Sequence, residues 1–150
     1  MKKVLFVATV VKTHIMEFHI PYLKMFKEMG WETAVAARND YENPADCVIP
    51  YCDTYYNIPF ERNPLKPGNL KAYKELKHII DEGEYDIIHC HTPVGAMLTR
   101  LAGRCCDLLY VVNLYRLWHG HAVSHADPAY GRIGSGSCQY SSRLCVICDG

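Results

Sequence analysis

Residues Lys3 to Val10 form the run Lys-Val-Leu-Phe-Val-Ala-Thr-Val, which is hydrophobic on both of the faces a strand presents. No other stretch narrows the possible folds as much. A strand with two apolar faces must be covered on both sides, which is the situation of a parallel strand flanked by helices. The run therefore predicts the first, central strand of an α/β sheet. A helix follows at once: Ile15, Phe18, Tyr22, Phe26 and Met29 recur in steps of three and four, with Lys24, Lys27 and Glu28 facing water. Gly30 then supplies a left-handed C-cap. Pro21 is tolerated without penalty only in a helix's first turn. The regular helix is thus expected to begin near Phe18, leaving Val11 to Glu17 as a loop over the strand tip.

Trp31 to Ala37 reads as the second strand, at the spacing of a right-handed crossover unit. Between Cys47 and Phe60, Pro50 and Pro59 limit the chain to one or two short strands. After the breaker Pro64-Leu65-Lys66-Pro67-Gly68, a second amphipathic helix carries Leu70, Tyr73, Leu76, Ile79 and Ile80 inward and stops at Gly83. Tyr85 to Pro93 is a buried strand with Ile87 and Ile88 in the sheet and polar groups at its end. A third helix runs from Val94 to about Arg104, presenting Met97, Leu98 and Leu101. The order β-α-β-β-α-β-α predicts an α/β fold, a Rossmann-like parallel sheet flanked by helices.

Composition changes after Gly103. Residues 105–150 contain no Lys and no Glu but all five serines of the protein, and five of its eight cysteines. Such a segment is poor material for exposed helix faces. The expected division is a domain over 1–104 and an atypical, poorly ordered tail over 105–150, with Asp107 to Trp118 able to make a strand or two. Lys plus Arg and Asp plus Glu are 16 each. No basic surplus favours a polyanion, so nucleic-acid binding is excluded as a main role. The apolar run after Met1-Lys2-Lys3 is broken at Lys12 without a small-residue cleavage site, so a cytoplasmic first strand is expected rather than an export signal, and the thiols are expected to be reduced.

Three segments carry a family likeness: residues 3–9, residues 21–32 (Pro-Tyr-Leu-Lys-Met-Phe-Lys-Glu-Met-Gly-Trp-Glu), and residues 86–95 (Asp-Ile-Ile-His-Cys-His-Thr-Pro-Val-Gly). Through them, residues 1 to about 103 resemble the N-terminal half of family 4 glycosyltransferases of the GT-B fold, of the type that builds capsular polysaccharide and exopolysaccharide. The resemblance implies retaining transfer of a sugar from a nucleotide-sugar donor, with two Rossmann-like halves closing on the reactants. The N-terminal half would hold a sugar or lipid-linked sugar acceptor. It would work in the cytoplasm, at the inner face of the membrane carrying that acceptor.

The donor half of the family uses two glutamates eight positions apart, and no glutamate pair here has that spacing. The family's catalytic histidine follows the next strand in a sequence such as Tyr-Thr-Ala-His-Gly, which is absent from residues 110–118. His119-Gly120-His121 stands in the wrong setting to take that role, so no catalytic residue is assigned. The tail is accordingly expected to be a frameshifted or rearranged end, and the chain to be inactive unless a donor-binding half is supplied. An alternative is a non-catalytic binding subunit completed by a separate donor-binding chain.

In an open α/β sheet, ligands bind at the carboxyl ends of strands. His91 at the tip of the 85–93 strand is the first candidate for contact with the acceptor, and His89 shares its face two positions earlier. Thr13 and His14, leaving the first strand, either hydrogen-bond sugar hydroxyls or start the helix. Thr92 either touches ligand or caps the third helix, with Pro93 at a first-turn position. The first strand tip has no glycine before Gly30, so no G-x-G-x-x-G phosphate cradle exists. A metal site built on His89 and His91 needs a third ligand, and none is near in sequence; no metal or cofactor is expected. Cys145-Val146-Ile147-Cys148 is a lone CxxC, and a small metal or redox protein using the tail cysteines is the remaining alternative.

Overall fold

The computed structural model describes residues 1–103 and, as backbone only, a strand at Cys145–Asp149. The strands are β1 (Lys3–Val10), β2 (Glu32–Arg38), β3 (Thr54–Asn57), β4 (Ile87–His91) and β5 (Cys145–Asp149). They form one sheet in the order β3-β2-β1-β4-β5, parallel at every pairing. Around it lie α1 (Ile20–Glu28), α2 (Gly68–Gly83) and α3 (Pro93–Gly103), together with a π-helical segment (Val11–His19) and a 3₁₀ turn (Pro44–Asp46). This is the expected α/β Rossmann-like sheet.

The two-faced burial predicted for β1 is what divides the core. Leu5 and Val7 point to one side, where they meet Ala72, Leu76 and Ile80 of α2 and Val94, Leu98 and Ala102 of α3. Val4, Phe6 and Ala8 point to the other, where Ile15, Leu23 and Phe26 cover them. Alternation along a strand sends neighbours to opposite faces, so one strand seeds both cores.

Polar ties fix the ends of the sheet. Asp86 accepts the Lys3 amide at 2.8 Å, locking β4 to the start of β1. Asp53 accepts the Thr33 amide at 2.8 Å and the Lys27 ammonium at 2.6 Å, pinning the approach to β3 onto β2 and α1. Gly30 adopts the left-handed conformation foreseen for it, φ +77°, which a residue with a Cβ enters only at a cost.

One expectation needs correcting. Val11 to Glu17 is not a loop: β1 passes straight into the π-helical segment, and α1 begins at Ile20 with Pro21 in its first turn. Pro21 has no N–H to offer the carbonyl of Glu17, so an α-helix starting at Val11 would lose a bond there. Residues 47–60 yield one short strand, β3, within the one or two that Pro50 and Pro59 allow. The outer edge of β4 is paired with β5, in register from Ile87↔Cys145 to His91↔Asp149. The region 107–118, where a strand was expected, lies outside the described residues. Among those described, no helix is long and apolar enough to cross a membrane.

Candidate functional site

The order 3-2-1-4-5 places the reversal of winding between β1 and β4. At such a switch point the connections leave the two central strands in opposite directions and open a crevice beyond their carboxyl ends. His14 lies one turn beyond the end of β1, and His91 is the last residue of β4. Across this crevice His14 Nε2 and His91 Nδ1 are hydrogen-bonded, with their rings centred 4.5 Å apart. Two residues singled out from opposite ends of the domain thus meet at one point.

Sequence reasoning missed His19. On an α-helix of 3.6 residues per turn, residues five apart point about 140° away from each other. The i→i+5 bonding of the π-helical segment, a rare geometry often found at functional sites, turns His19 to nearly the same side as His14. The ring of His19 lies 4.9 Å from His91 and 5.0 Å from His89, edge-on to both, and 6.0 Å from His14. The buried positions Val11, Ile15 and His19 advance by four at each step, as suits a widened turn.

Depth separates the four imidazoles. His14 and His91 are half-buried, whereas His19 is 2 % exposed and His89 is closed to solvent, packed between Phe6 and Tyr22. Neither ring nitrogen of His19 has a hydrogen-bond partner among the described residues. Burial, reinforced by the neighbouring imidazoles of His89, His91 and His14, drives the pKa of His19 down to about 2. Burial and then His91 bring His89 down to about 3. His14 is lowered more mildly, by burial first and His91 second, against an opposing hydrogen bond with the Thr13 backbone. At neutral pH, His14, His19 and His89 are therefore uncharged and offer lone pairs or N–H groups.

The remaining predicted residues fall as follows. Thr92 performs the capping role: its Oγ1 accepts the Gly95 amide at 3.3 Å and is hydrogen-bonded to Thr9 Oγ1 at 2.5 Å. A Cβ on Gly95 would stand 2.9 Å from that oxygen, so glycine is what lets α3 start so close to β1. Thr92 does this with φ +76°, a left-handed backbone that β-branched residues seldom adopt. Strained residues of this kind cluster at functional sites. Thr13 is exposed on the π-helical segment. Beside it, the Lys12 amide donates to Asp40 Oδ1 at 2.6 Å, which ties the tip of β1 to the loop after β2.

The arrangement can bind hydroxyl groups through neutral imidazoles, and it can hold a metal. One nitrogen from each of His14, His19 and His91 lies within 4.8 Å of the others. This set is not the His89–His91 pair weighed from the sequence: His89 is outside it, and two of the three ligands come from the π-helical segment. Of the thiols, Cys47 and Cys52 are free, and burial pushes Cys52 up to about 11. The expectation of reduced thiols fails at Cys90, which is disulfide-bonded. Cys105, Cys106, Cys138 and the side chains of the CxxC lie outside the described residues.

Residues 22–150 match the glycosyl transferase 4-like domain family. The chain is 52 % identical over 103 residues to a Bacillus subtilis (strain 168) protein named "Putative glycosyltransferase EpsD". That alignment covers 69 % of this chain and 25 % of the relative, so the chain spans about a quarter of the length of the curated protein it matches. Among solved structures, the C-terminal domain of the PF1911 hydrogenase from Pyrococcus furiosus aligns with a TM-score of 0.47 at 15 % identity, covering 69 % of this chain and 83 % of that one.

Proposed function

Because the chain belongs to the glycosyl transferase 4-like family, we propose that it is the acceptor-binding half of a retaining, nucleotide-sugar-dependent glycosyltransferase of polysaccharide biosynthesis. The observation that carries this reading is the meeting of His14 and His91 across the β1–β4 switch point, where the fold opens its ligand crevice. Imidazoles at that point suit sugar hydroxyls, which need a donor and an acceptor at short range but no countercharge. In this reading His91 and His14 contact the acceptor, and Thr13 lies on the solvent side of the same rim. Thr92 holds the strand tip in place, and His89 backs the cluster from beneath.

A family enzyme stabilises its transition state between two halves, and this chain spans about a quarter of its relative. Without the donor-binding half, positioning and charge stabilisation are largely lost. The 150-residue chain is therefore proposed to bind acceptor without turnover, in the cytoplasm and against the membrane face that presents a lipid-linked sugar. The 1–104 unit is taken as the acceptor domain, with residues 105–150 an appendage to it. The short coverage equally suits a subunit completed by a separate donor-binding chain, which a co-purifying polypeptide with the paired glutamates would reveal.

The test is binding of soluble and lipid-linked sugar acceptors, followed by chemical-shift changes, in the wild-type chain and in His91→Ala. Binding that perturbs residues 9–14 and 89–95 and is lost in His91→Ala supports the proposal. Sugar transfer from any nucleotide-sugar by the purified chain alone would overturn the claim of inactivity. Acceptor binding untouched by His91→Ala would overturn the site.

A further inference from the structure

The geometry points to a binding site for a divalent transition-metal ion of the zinc class at His14, His19 and His91, with a fourth coordination position open on the solvent side. This goes beyond the sugar-binding reading and does not depend on it. Zinc bound by imidazole has Zn–N distances of about 2.0–2.1 Å, so a tetrahedral ion holds its ligand nitrogens about 3.4 Å apart. The three nitrogens here already lie within 4.8 Å of one another. Small side-chain rotations close that gap, and the direct His14–His91 contact opens by a comparable amount to admit the ion.

The second observation is His19 itself. A buried polar group without a hydrogen-bond partner costs roughly 1–3 kcal/mol. His19 is 2 % exposed, and both of its ring nitrogens lack partners among the described residues. A metal bond would satisfy one of them. The ring is fixed edge-on to His91 and held between it and His89, so the ligand is oriented before any ion arrives.

Ligand chemistry sets the class of ion. Three imidazoles with no carboxylate in the cluster suit zinc, copper or nickel rather than magnesium or calcium, which take oxygen ligands. Three histidines with an open position is also the ligand set of catalytic rather than structural zinc. The open side is given by the half-buried His14 and His91, which leave room for water or a substrate oxygen as the fourth ligand.

The experiment titrates the chelator-treated 150-residue chain with Zn²⁺ alone by calorimetry and with Co²⁺ by visible absorption. Because the chain also carries Cys105, Cys106, Cys138, Cys145 and Cys148, both titrations are repeated after alkylating accessible thiols. The variants are His14→Gln and His91→Gln, both at half-buried positions, with folding checked by circular dichroism. His19→Gln is a third variant, used only if it folds. One equivalent of zinc per chain is expected, surviving alkylation, with a four-coordinate Co²⁺ spectrum lacking thiolate charge transfer. Affinity should weaken at least tenfold in both His14→Gln and His91→Gln. No uptake by the wild type, uptake abolished by alkylation, or uptake unchanged in either of those two variants would each overturn the assignment.

Discussion

Acidifying the metal-free protein from pH 7 to pH 4.5 is expected to remove about 5 kcal/mol of folding stability through His19 and His89 alone. In the unfolded chain both titrate near 6.5; in the fold, burial and neighbouring imidazoles hold them at about 2 and about 3. Between pH 6.5 and pH 3 the unfolded state therefore binds two protons that the folded state refuses. Stability must then fall as pH falls, with each group contributing about 1.4 kcal/mol per pH unit. Two units below 6.5 that is between 2 and 3 kcal/mol each. The sum is comparable to the lower end of a domain's whole stability, about 5–15 kcal/mol. His14 acts in the same direction. Asp53, held below the ordinary aspartate range chiefly by Lys27 and then Thr33, loses its contribution only as the pH falls from about 4 downward. The assay is urea unfolding by circular dichroism at pH 7, 6, 5 and 4.5 in the presence of chelator. His89→Leu removes one of the two proton sites and should flatten the slope by about 1.4 kcal/mol per pH unit. An unfolding midpoint unchanged from pH 7 to 4.5, or a slope identical in wild type, His89→Leu and His19→Leu, would refute the reasoning.

Other perturbations test the scaffold beneath the site. Gly95→Ala places a Cβ 2.9 Å from Thr92 Oγ1 and 3.7 Å from the Ala8 backbone; the forced shift should cost about 1–3 kcal/mol, read as a lowered thermal midpoint. Glu84 ends α2 in the left-handed region at φ +48°, so Glu84→Gly should stabilise the protein by about 1 kcal/mol, and an unchanged or lower unfolding midpoint would count against it. Asp53→Ala removes the acceptor for the Thr33 amide and for Lys27. A loss of about 1–3 kcal/mol is expected, along with a weaker decline of stability below pH 4, since Asp53 stabilises the fold only while ionised.

How much of this was legible before the structure depends on what each element required. β1, β4, α2 and α3 obey simple periodicities, and their spans were recovered to within a residue or two because burial alone dictates them. His91 and His14 were also accessible, since strand ends in such a sheet are where chain polarity must emerge. Their contact was not, because it joins residues 77 apart and depends on which strand lies beside β1. His19 was hidden by the assumption of 3.6-residue periodicity. The wider repeat of Val11–His19 changes which histidines share a side. The pairing of β5 with β4 was out of reach for another reason: Cys145–Asp149 pairs across more than fifty residues, and nothing in so short a run specifies which edge it joins.

The histidine cluster also demands an explanation that packing does not provide. Leucine or phenylalanine at positions 19 and 89 would fill the space beside Phe6 without the desolvation that drives both imidazoles so far from their ordinary pKa. Each buried histidine thus lowers the stability of a sheet face that could be wholly apolar. Groups with strongly displaced pKa values gather at functional sites, and here they gather where the fold opens its crevice. Both uses considered for the cluster, hydrogen bonding to sugar hydroxyls and coordination of a metal, require imidazoles kept neutral at physiological pH. They differ in what the solvent-side nitrogens do. His91 Nδ1 faces His14, and a lone pair given to an ion at that nitrogen is withdrawn from a hydroxyl. With zinc in place an acceptor would reach the site through the open fourth position, as an oxygen ligand to the ion; without zinc it would have to displace the His14–His91 hydrogen bond.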